Sequence, residues 1–289
     1  HDARVDDHLN RRVPLDTLPS PRNQELQLEF QITRFGAGEG LLVVRDISRI
    51  YKLEQMRKDF VANVSHELRT PLTVIRGYLE TLADTQDLAQ ENLIWQKALA
   101  QMQNQAARMT TLINDLTMLS KLETDPANSL QQAVILKPLL EMICSEAQTV
   151  SGANKHSITL QCHPDLKLIG NDRELHSAFS NLVMNAIKYS PPEKPIRINA
   201  SLNLAGMLQV EVEDEGVGIE PQHISRLTER FYRVDASRSI QTGGTGLGVA
   251  IVKHILLRHD GRLEIQSDYG KGSRFSCLFP ADRVIQAAA

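Results

Sequence analysis

Four clusters of polar or glycine residues interrupt apolar patterns in this 289-residue chain, and their types suit phosphate chemistry. The first is the run Ser65-His66-Glu67-Leu68-Arg69-Thr70-Pro71-Leu72. His66 and Thr70 stand four apart and share a helix face, and Glu67 can reach the neighbouring imidazole. A helix needs no such cluster to form, and a lone histidine would read as part of a solvated face. The second is a stripe of Asn181, Asn185 and Lys188, with Tyr189 at its end. Asparagine is a weak helix former, so two amides four apart in a helix need a reason. Side-chain-to-backbone bonding or solvent exposure would supply one; a polar wall facing phosphates and Mg²⁺ is the other. Third, Asp214 falls by strand parity on the face of Leu208, Val210 and Val212. A carboxylate on a buried face is costly without a partner, and an adenine amino group would be such a partner. Gly216 and Gly218 follow it, where a backbone can approach a flat ligand. Fourth, Gly243-Gly244-Thr245-Gly246-Leu247-Gly248 runs into a helical pattern. Free N–H groups and the helix dipole converge on phosphate at such a junction. The loop has no Gly-Lys-Ser/Thr and lacks the strand-then-GxGxxG setting of a dinucleotide fold.

The elements that must position these clusters are legible in part. Residues 1–22 are polar and proline-bearing and commit to no element. Leu26, Leu28, Phe30 and Ile32 alternate with polar residues as in a half-buried strand; Gly36, Gly38 and Gly40 make a turn, and Leu41–Val44 is a second short strand. Two strands are marginal alone, so this reads as the end of a larger, truncated sensor domain. From Arg49 the pattern is helical: Ile50, Leu53 and Met56 lead into Phe60, Val64, Leu68, Leu72, Ile75 and Leu79. One continuous helix from about Ser48 to Ala83 is expected, with a bend at Pro71. Thr85 to Ala89 is a polar connection, and Leu99, Met102, Ala106, Met109, Ile113, Leu116 and Leu119 mark a second, near-heptad helix. A helical hairpin cannot bury both stripes alone, whereas two copies form a four-helix bundle, so a homodimer with His66 facing solvent is expected. Asp125-Pro126-Ala127-Asn128 breaks the pattern as a linker. An α/β texture follows: a helix over 138–150, strands over 157–162 and 166–169, and a helix capped by Asp172 with a core stripe of Leu175, Ala178, Phe179, Leu182, Val183 and Ala186. A hairpin then turns at Ala205-Gly206, a helix spans 249–259, and two strands close the sheet.

Composition narrows the classes. The chain holds 32 basic and 35 acidic residues, net −3, which leaves no basic footprint for nucleic acid, and aromatics are only 4%. Cys144, Cys162 and Cys277 are far apart and form no CxxC pair, which fits reduced cytosolic thiols rather than metal or disulfide use. No apolar run approaches the ~20 residues that cross a bilayer. No signal peptide is visible, and residue 1 is His rather than Met, which fits a soluble piece of a longer protein.

The run around His66 resembles the phosphoacceptor motif of bacterial sensor histidine kinases. Asn181-Leu-Val-Met-Asn185-Ala-Ile-Lys188-Tyr189 resembles the N box of the ATP-binding domain shared by histidine kinases, type II topoisomerases and related chaperones. Asp214-Glu-Gly216-Val-Gly218 resembles its first glycine box, Glu229-Arg230-Phe231-Tyr232-Arg233 the F box, and Gly244-Thr-Gly246-Leu-Gly248 the second glycine box. Four boxes in order behind a phosphoacceptor helix, over about Arg49 to Pro280, make the likeness specific. It implies a multidomain chain. A PAS-like β remnant occupies 1–48, and a signalling helix with the dimerisation and phosphotransfer hairpin occupies 49–124. A linker follows at 125–132, then an α/β sandwich ATP-binding domain at 133–289.

The roles that follow belong to the resemblance. His66 attacks the γ-phosphate of ATP, Glu67 holds the ring and acts as base, and Thr70 orients water for dephosphorylating the partner. Asn185 ligates Mg²⁺ with Asn181 nearby; Lys188 and Arg233 neutralise phosphate; Tyr189 packs near adenine. Asp214 accepts from the adenine amino group beside Gly216 and Gly218, and Gly244, Gly246 and Gly248 let a lid close. The implied partners are a second copy and a cognate response regulator bearing a receiver aspartate, with no direct nucleic-acid contact. Membrane attachment would come only through a segment absent from this chain, making it the cytoplasmic part of an inner-membrane protein. The runs FVANVSHELRTPLTVIRGYLE and RLTERFYRVDASRSIQTGGTGLGVAIVKH look like the subgroup that serves phosphate-starvation signalling. Other readings are an ATPase chaperone or topoisomerase-like domain, a dimeric scaffold that only binds nucleotide, and a phosphatase-biased regulator.

Overall fold

The computed structural model describes residues 13–19, 26–35, 39–84, 91–125, 132–234 and 244–285. The expectations placed on Gly36 and Gly38, on the connection at 85–89, on 126–128 and on Gly243 lie outside the described residues. The chain divides into two compact units, His1–Arg69 and Thr70–Ala289, so the division falls inside the first long helix.

The first unit holds an antiparallel sheet of β1 (Val13–Pro19), β2 (Gln27–Phe35) and β3 (Glu39–Asp46), in the order β1-β2-β3. β1 falls in the stretch read from sequence as uncommitted. Its prolines, Pro14 and Pro19, obscured the strand, but an edge strand tolerates them because one row of its N–H groups needs no partner. β3 feeds α1 (Ser48–Asp84) through a local cap. The Asp46 carboxylate accepts from the backbone N–H of Ser48 at 2.9 Å and from its hydroxyl at 2.5 Å. Those two bonds hold Asp46 below the usual carboxylate range. The Ser48 hydroxyl also accepts from the Gln27 N–H at 2.8 Å, tying the helix start to β2. α1 runs through Pro71 as one helix.

In the second unit, α2 (Glu91–Thr124) completes the hairpin. Next come β4 (Gln132–Ile135), α3 (Leu136–Ser151), β5 (Ser157–Cys162), β6 (Lys167–Gly170) and α4 (Asp172–Tyr189). β7 (Pro195–Leu202) and β8 (Leu208–Asp214) form the expected hairpin. A single turn, α5 (Pro221–Ile224), precedes α6 (Gly248–Arg258), β9 (Arg262–Asp268), β10 (Gly272–Phe279) and β11 (Val284–Ile285). The main sheet has the order β5-β7-β8-β10-β9, with β5 parallel to β7 and the other pairs antiparallel. A small sheet, β11-β6-β4, lies apart from it. β4 and β11 were not read from the sequence: at four and two residues they are too short to show a period.

The core forms between the main sheet and α3, α4 and α6. All six residues of the expected α4 stripe are buried, as are Leu208, Val210 and Val212 of β8 and Ile251, Val252 and Ile255 of α6. One cap is corrected. Asn171, not Asp172, caps α4: its side chain accepts from the N–H groups of Arg173 and Glu174 at 3.0 and 3.2 Å. Asn171 has the extended backbone a cap requires, while Asp172 is already helical. The Asn171 N–H donates to Nε2 of the fully buried His259, whose Nδ1 lies 2.7 Å from the Ile255 carbonyl, so the end of α6 is pinned to the start of α4. Among the described residues, no helix is long and apolar enough to cross a membrane.

Candidate active site

A cavity of about 1020 Å³ opens between α4, the end of β8 and the segment entering α6. Ten residues singled out from sequence line it: Asn181, Asn185, Lys188, Tyr189, Asp214, Gly218, Arg233, Gly244, Gly246 and Gly248. They come from segments up to 67 positions apart, and the sheet register is what joins them. Asp214 ends β8 opposite Ile196 of β7 and Ser273 of β10, in the middle of the sheet.

Asp214 is 7% exposed. Its Oδ1 accepts from the Gly216 N–H at 2.8 Å. Burial pushes its carboxyl above the ordinary range, against the opposing pull of N–H groups from Gly216 and Ser273. Among the eleven binding residues expected from sequence, Gly216 alone is not in the cavity wall. It stands behind Asp214, where a Cβ would meet Asp214 Oδ1 and the Tyr189 carbonyl, each at 2.6 Å. Gly218, at φ +67°, lets the Asp268 backbone pack against it. These glycines thus serve the chain's close approach to itself as well as any ligand's.

At the other end, the four- and three-residue steps along α4 turn Asn181, Asn185 and Lys188 to one side. Asn181 spends its amide N–H on the Ser177 carbonyl at 2.8 Å, the backbone bonding that a mid-helix asparagine favours. Its Oδ1 stands 2.5 Å from where a Cβ at Gly248 would fall, so a side chain there would have to displace the amide. Asn185 lies in the cavity wall. The Lys188 ammonium sits 4.9 Å from the Tyr189 ring centroid. Burial first, then the nearby cations Arg233 and Arg108, lower its pKa from 10.5 to about 8. Arg233 donates to the Gly244 carbonyl. Gly246, at φ +73°, packs against the Phe231 backbone, and the Phe231 N–H donates to the Gly246 carbonyl at 2.9 Å. The site therefore has a carboxylate in a nearly dry recess at one end and cations with a glycine-lined helix start at the other. That polarity fits a purine held at the carboxylate and a polyphosphate held at the helix.

The wall also contains residues the sequence reading did not single out. Thr111 and Asp115 reach it from α2, and the Asp115 carboxylate accepts from the Thr245 hydroxyl at 2.7 Å. Burial raises the Asp115 carboxyl. A signal existed: Leu112, Asp115, Leu119 and Leu122 recur at three or four, placing a carboxylate inside an apolar stripe, as with Asp214. His223 is a further such residue, its Nδ1 2.6 Å from the hydroxyl of Tyr232 in the F-box run, and both line the cavity. His66, Glu67 and Thr70 lie on α1; His66 and Thr70 are exposed and Glu67 is half-buried.

Two family models cover this architecture. Residues 56–125 match the His Kinase A (phospho-acceptor) domain, and residues 170–283 match the Histidine kinase-, DNA gyrase B-, and HSP90-like ATPase. This chain belongs to the sensor histidine kinases. It is 53% identical over 281 residues to the phosphate regulon sensor protein PhoR of Pseudomonas aeruginosa, covering 97% of this chain and 62% of that protein. It is 41% identical over 258 residues to PhoR of Haemophilus influenzae, covering 89% and 59%. The sensor histidine kinase WalK of Bacillus subtilis is 34% identical over 260 residues, covering 88% and 42%. This histidine kinase thus spans about three fifths of the two PhoR proteins. Among solved structures, the Acinetobacter baumannii histidine kinase AdeS shares the fold, with TM-score 0.57 at 22% identity, covering 75% of this chain and 98% of that one. The ATPase family model spans most of the segments that line the cavity, and the residues present suit a nucleotide: a buried acceptor, two cations and a helix start faced by glycine.

Proposed function

We propose that this chain is the catalytic part of an ATP-dependent protein-histidine kinase in a two-component system serving phosphate-starvation signalling. The observation that carries it is the convergence of Asp214, Asn185, Lys188, Arg233 and the glycine segment on one cavity, in a chain that also holds a phosphoacceptor helix. Likeness to two PhoR proteins supports the phosphate pathway. The working division is a PAS-like remnant at 1–48, phosphotransfer hairpin at 49–124, linker at 125–132 and ATP-binding domain at 133–289.

In this reading, Asp214 accepts from the adenine amino group, while Tyr189 borders the base. Lys188 and Arg233 neutralise phosphate charge, and the N-terminus of α6 takes the phosphates across Gly244, Gly246 and Gly248. Mg²⁺, when bound, supplies charge neutralisation on the triphosphate, and the Asn185 amide oxygen is the group that would hold it, beside Asn181. A ring nitrogen of His66 attacks the γ-phosphorus, the bond to the β-phosphate oxygen breaks, and ADP leaves. Glu67 holds the imidazole and takes its proton. Positioning and charge neutralisation carry most of such a transfer. The phosphoryl group passes to an aspartate of a response regulator, and Thr70 orients water for the reverse duty of dephosphorylating that regulator. The exposed apolar side chains of the hairpin support a homodimer closed as a four-helix bundle.

Incubation with γ-labelled ATP and Mg²⁺ tests the reading, with wild type beside His66→Ala. An acid-labile, base-stable label that vanishes in the variant, with ATP binding retained, is expected; full labelling of His66→Ala would remove the phosphoacceptor role. Thr70→Ala should keep labelling and lose regulator dephosphorylation, and unchanged dephosphorylation would take that role from Thr70.

A further inference from the structure

Asp115 sits in the wall of the nucleotide cavity although it belongs to the phosphotransfer hairpin. Its Oδ2 accepts from the Thr245 hydroxyl at 2.7 Å, and the Thr245 oxygen accepts from the Leu247 N–H at 3.2 Å. Leu247 immediately precedes α6. A carboxylate is thus linked through one hydroxyl to the helix start that the phosphates would use. An anion there is stabilised by the helix dipole and the free N–H groups, whichever anion it is.

The placement is firmly built. Leu112, Leu119 and Leu122 of α2 are buried around it. Arg258 of α6 donates to the Leu122 and Asp125 carbonyls at 3.3 and 2.6 Å, closing the last turn of α2 onto α6. Glu123 pairs with Arg230. An uncharged side chain at position 115 would have satisfied Thr245 without burying charge, so the carboxylate asks for a reason beyond packing.

We propose that Asp115 is an internal competitor for the nucleotide's β- and γ-phosphates: docked on Thr245, it holds α2 against the ATP site in a low-affinity arrangement that must release before the triphosphate seats. Two anions cannot share one helix start, so seating of the phosphates and the Asp115–Thr245 bond exclude each other. The proposal rests on the nucleotide reading of the cavity.

The test is equilibrium binding of ATP and of AMP to the whole chain, for wild type, Asp115→Ala and Asp115→Asn. Asp115→Ala should bind ATP about tenfold more tightly, within the usual range of coupling between two sites, with AMP affinity unchanged. Asp115→Asn keeps the size and the acceptor but loses the charge, so it should shift ATP affinity in the same direction by less. That variant decides the matter should the alanine fail to fold. Unchanged or weaker ATP binding by a folded variant overturns the competitor role. An equal gain for AMP overturns it too, since that would be general loosening of the cavity. A wild type that binds neither nucleotide would instead overturn the reading of the cavity itself.

Discussion

Helices α1 and α4 carry the same kind of apolar stripe and bury it to opposite degrees. In α4 every stripe residue is covered, and Phe179 packs edge-on against Phe279 of β10 with ring centroids 6.2 Å apart. In α1, Phe60, Val64, Leu68 and Ile75 are half-buried, while Leu72 and Leu79 are 58% and 53% exposed. The period of a stripe says that a face is to be covered, not by what. For α4 the cover is a sheet and two helices of the same domain. For α1, within one chain, the cover is incomplete, and a second copy supplies the rest in the proposed dimer. With that dimer, the ATP-binding domain is self-sufficient and the hairpin depends on concentration.

The largest effect that would break this contrast lies in α4. Phe179→Ala should cost about 3–5 kcal/mol of stability and take nucleotide binding with it, because the same helix carries Asn185 and Lys188. Thermal melting should show that loss at every protein concentration. The paired change Leu72→Ala with Leu79→Ala should instead weaken dimerisation, at about 1.5–3 kcal/mol for each leucine fully buried in the bundle. Sedimentation should show a dimer dissociating at lower dilution while the ATP-binding domain still melts as before. If both variants lowered stability without changing mass, the hairpin would be self-sufficient after all.

Within the site, Asp214→Ala should weaken ATP roughly 10- to 100-fold, and stability to melting should fall by about 1–3 kcal/mol because the Gly216 N–H loses its acceptor as well. Isothermal titration with ATP and GTP would sharpen the point, because discrimination between the bases should fall with it. A smaller effect follows from Lys188. Its free-state pKa of about 8 lies below the ordinary 10.5, so it gives up its charge as pH rises through about 8. Bound phosphates favour the ammonium, so ATP affinity should decline across that window, and Lys188→Met should flatten the profile. The sign for folding is the reverse: the unfolded chain holds this proton more tightly, so the contribution of Lys188 to stability increases from about pH 8 towards 10.5.

Much of the catalytic domain was legible because its signals are local. β5 was bounded at 157–162, and strand parity placed Asp214 on the buried face, where the structure has it. What failed did so for equally local reasons. Either Asn171 or Asp172 could cap α4 by residue type, and only the backbone angle decides. β4 and β11 exist because β6 offers them a partner, which no window of two or four residues can reveal. Asp115 was passed over because the α2 stripe was read through Leu116 and Leu119 as a bundle seam, whereas Asp115, between the buried Leu112 and Leu119, meets Thr245 in the cavity wall.

By itself, the sequence determined the elements and the chemistry each carries. Residue type and spacing fix which side of a helix or strand an amide, a carboxylate or an imidazole occupies, and these are properties of a few consecutive residues. Only the tertiary structure decided which of those sides meet. The register of β8 between β7 and β10 carries Asp214 to the same cavity as Lys188, and the packing of α2 on α6 brings Asp115 to Thr245. Such meetings join residues as far as 130 positions apart, and burial of apolar area, which is non-directional, leaves the partner of a stripe unspecified until the whole core is assembled.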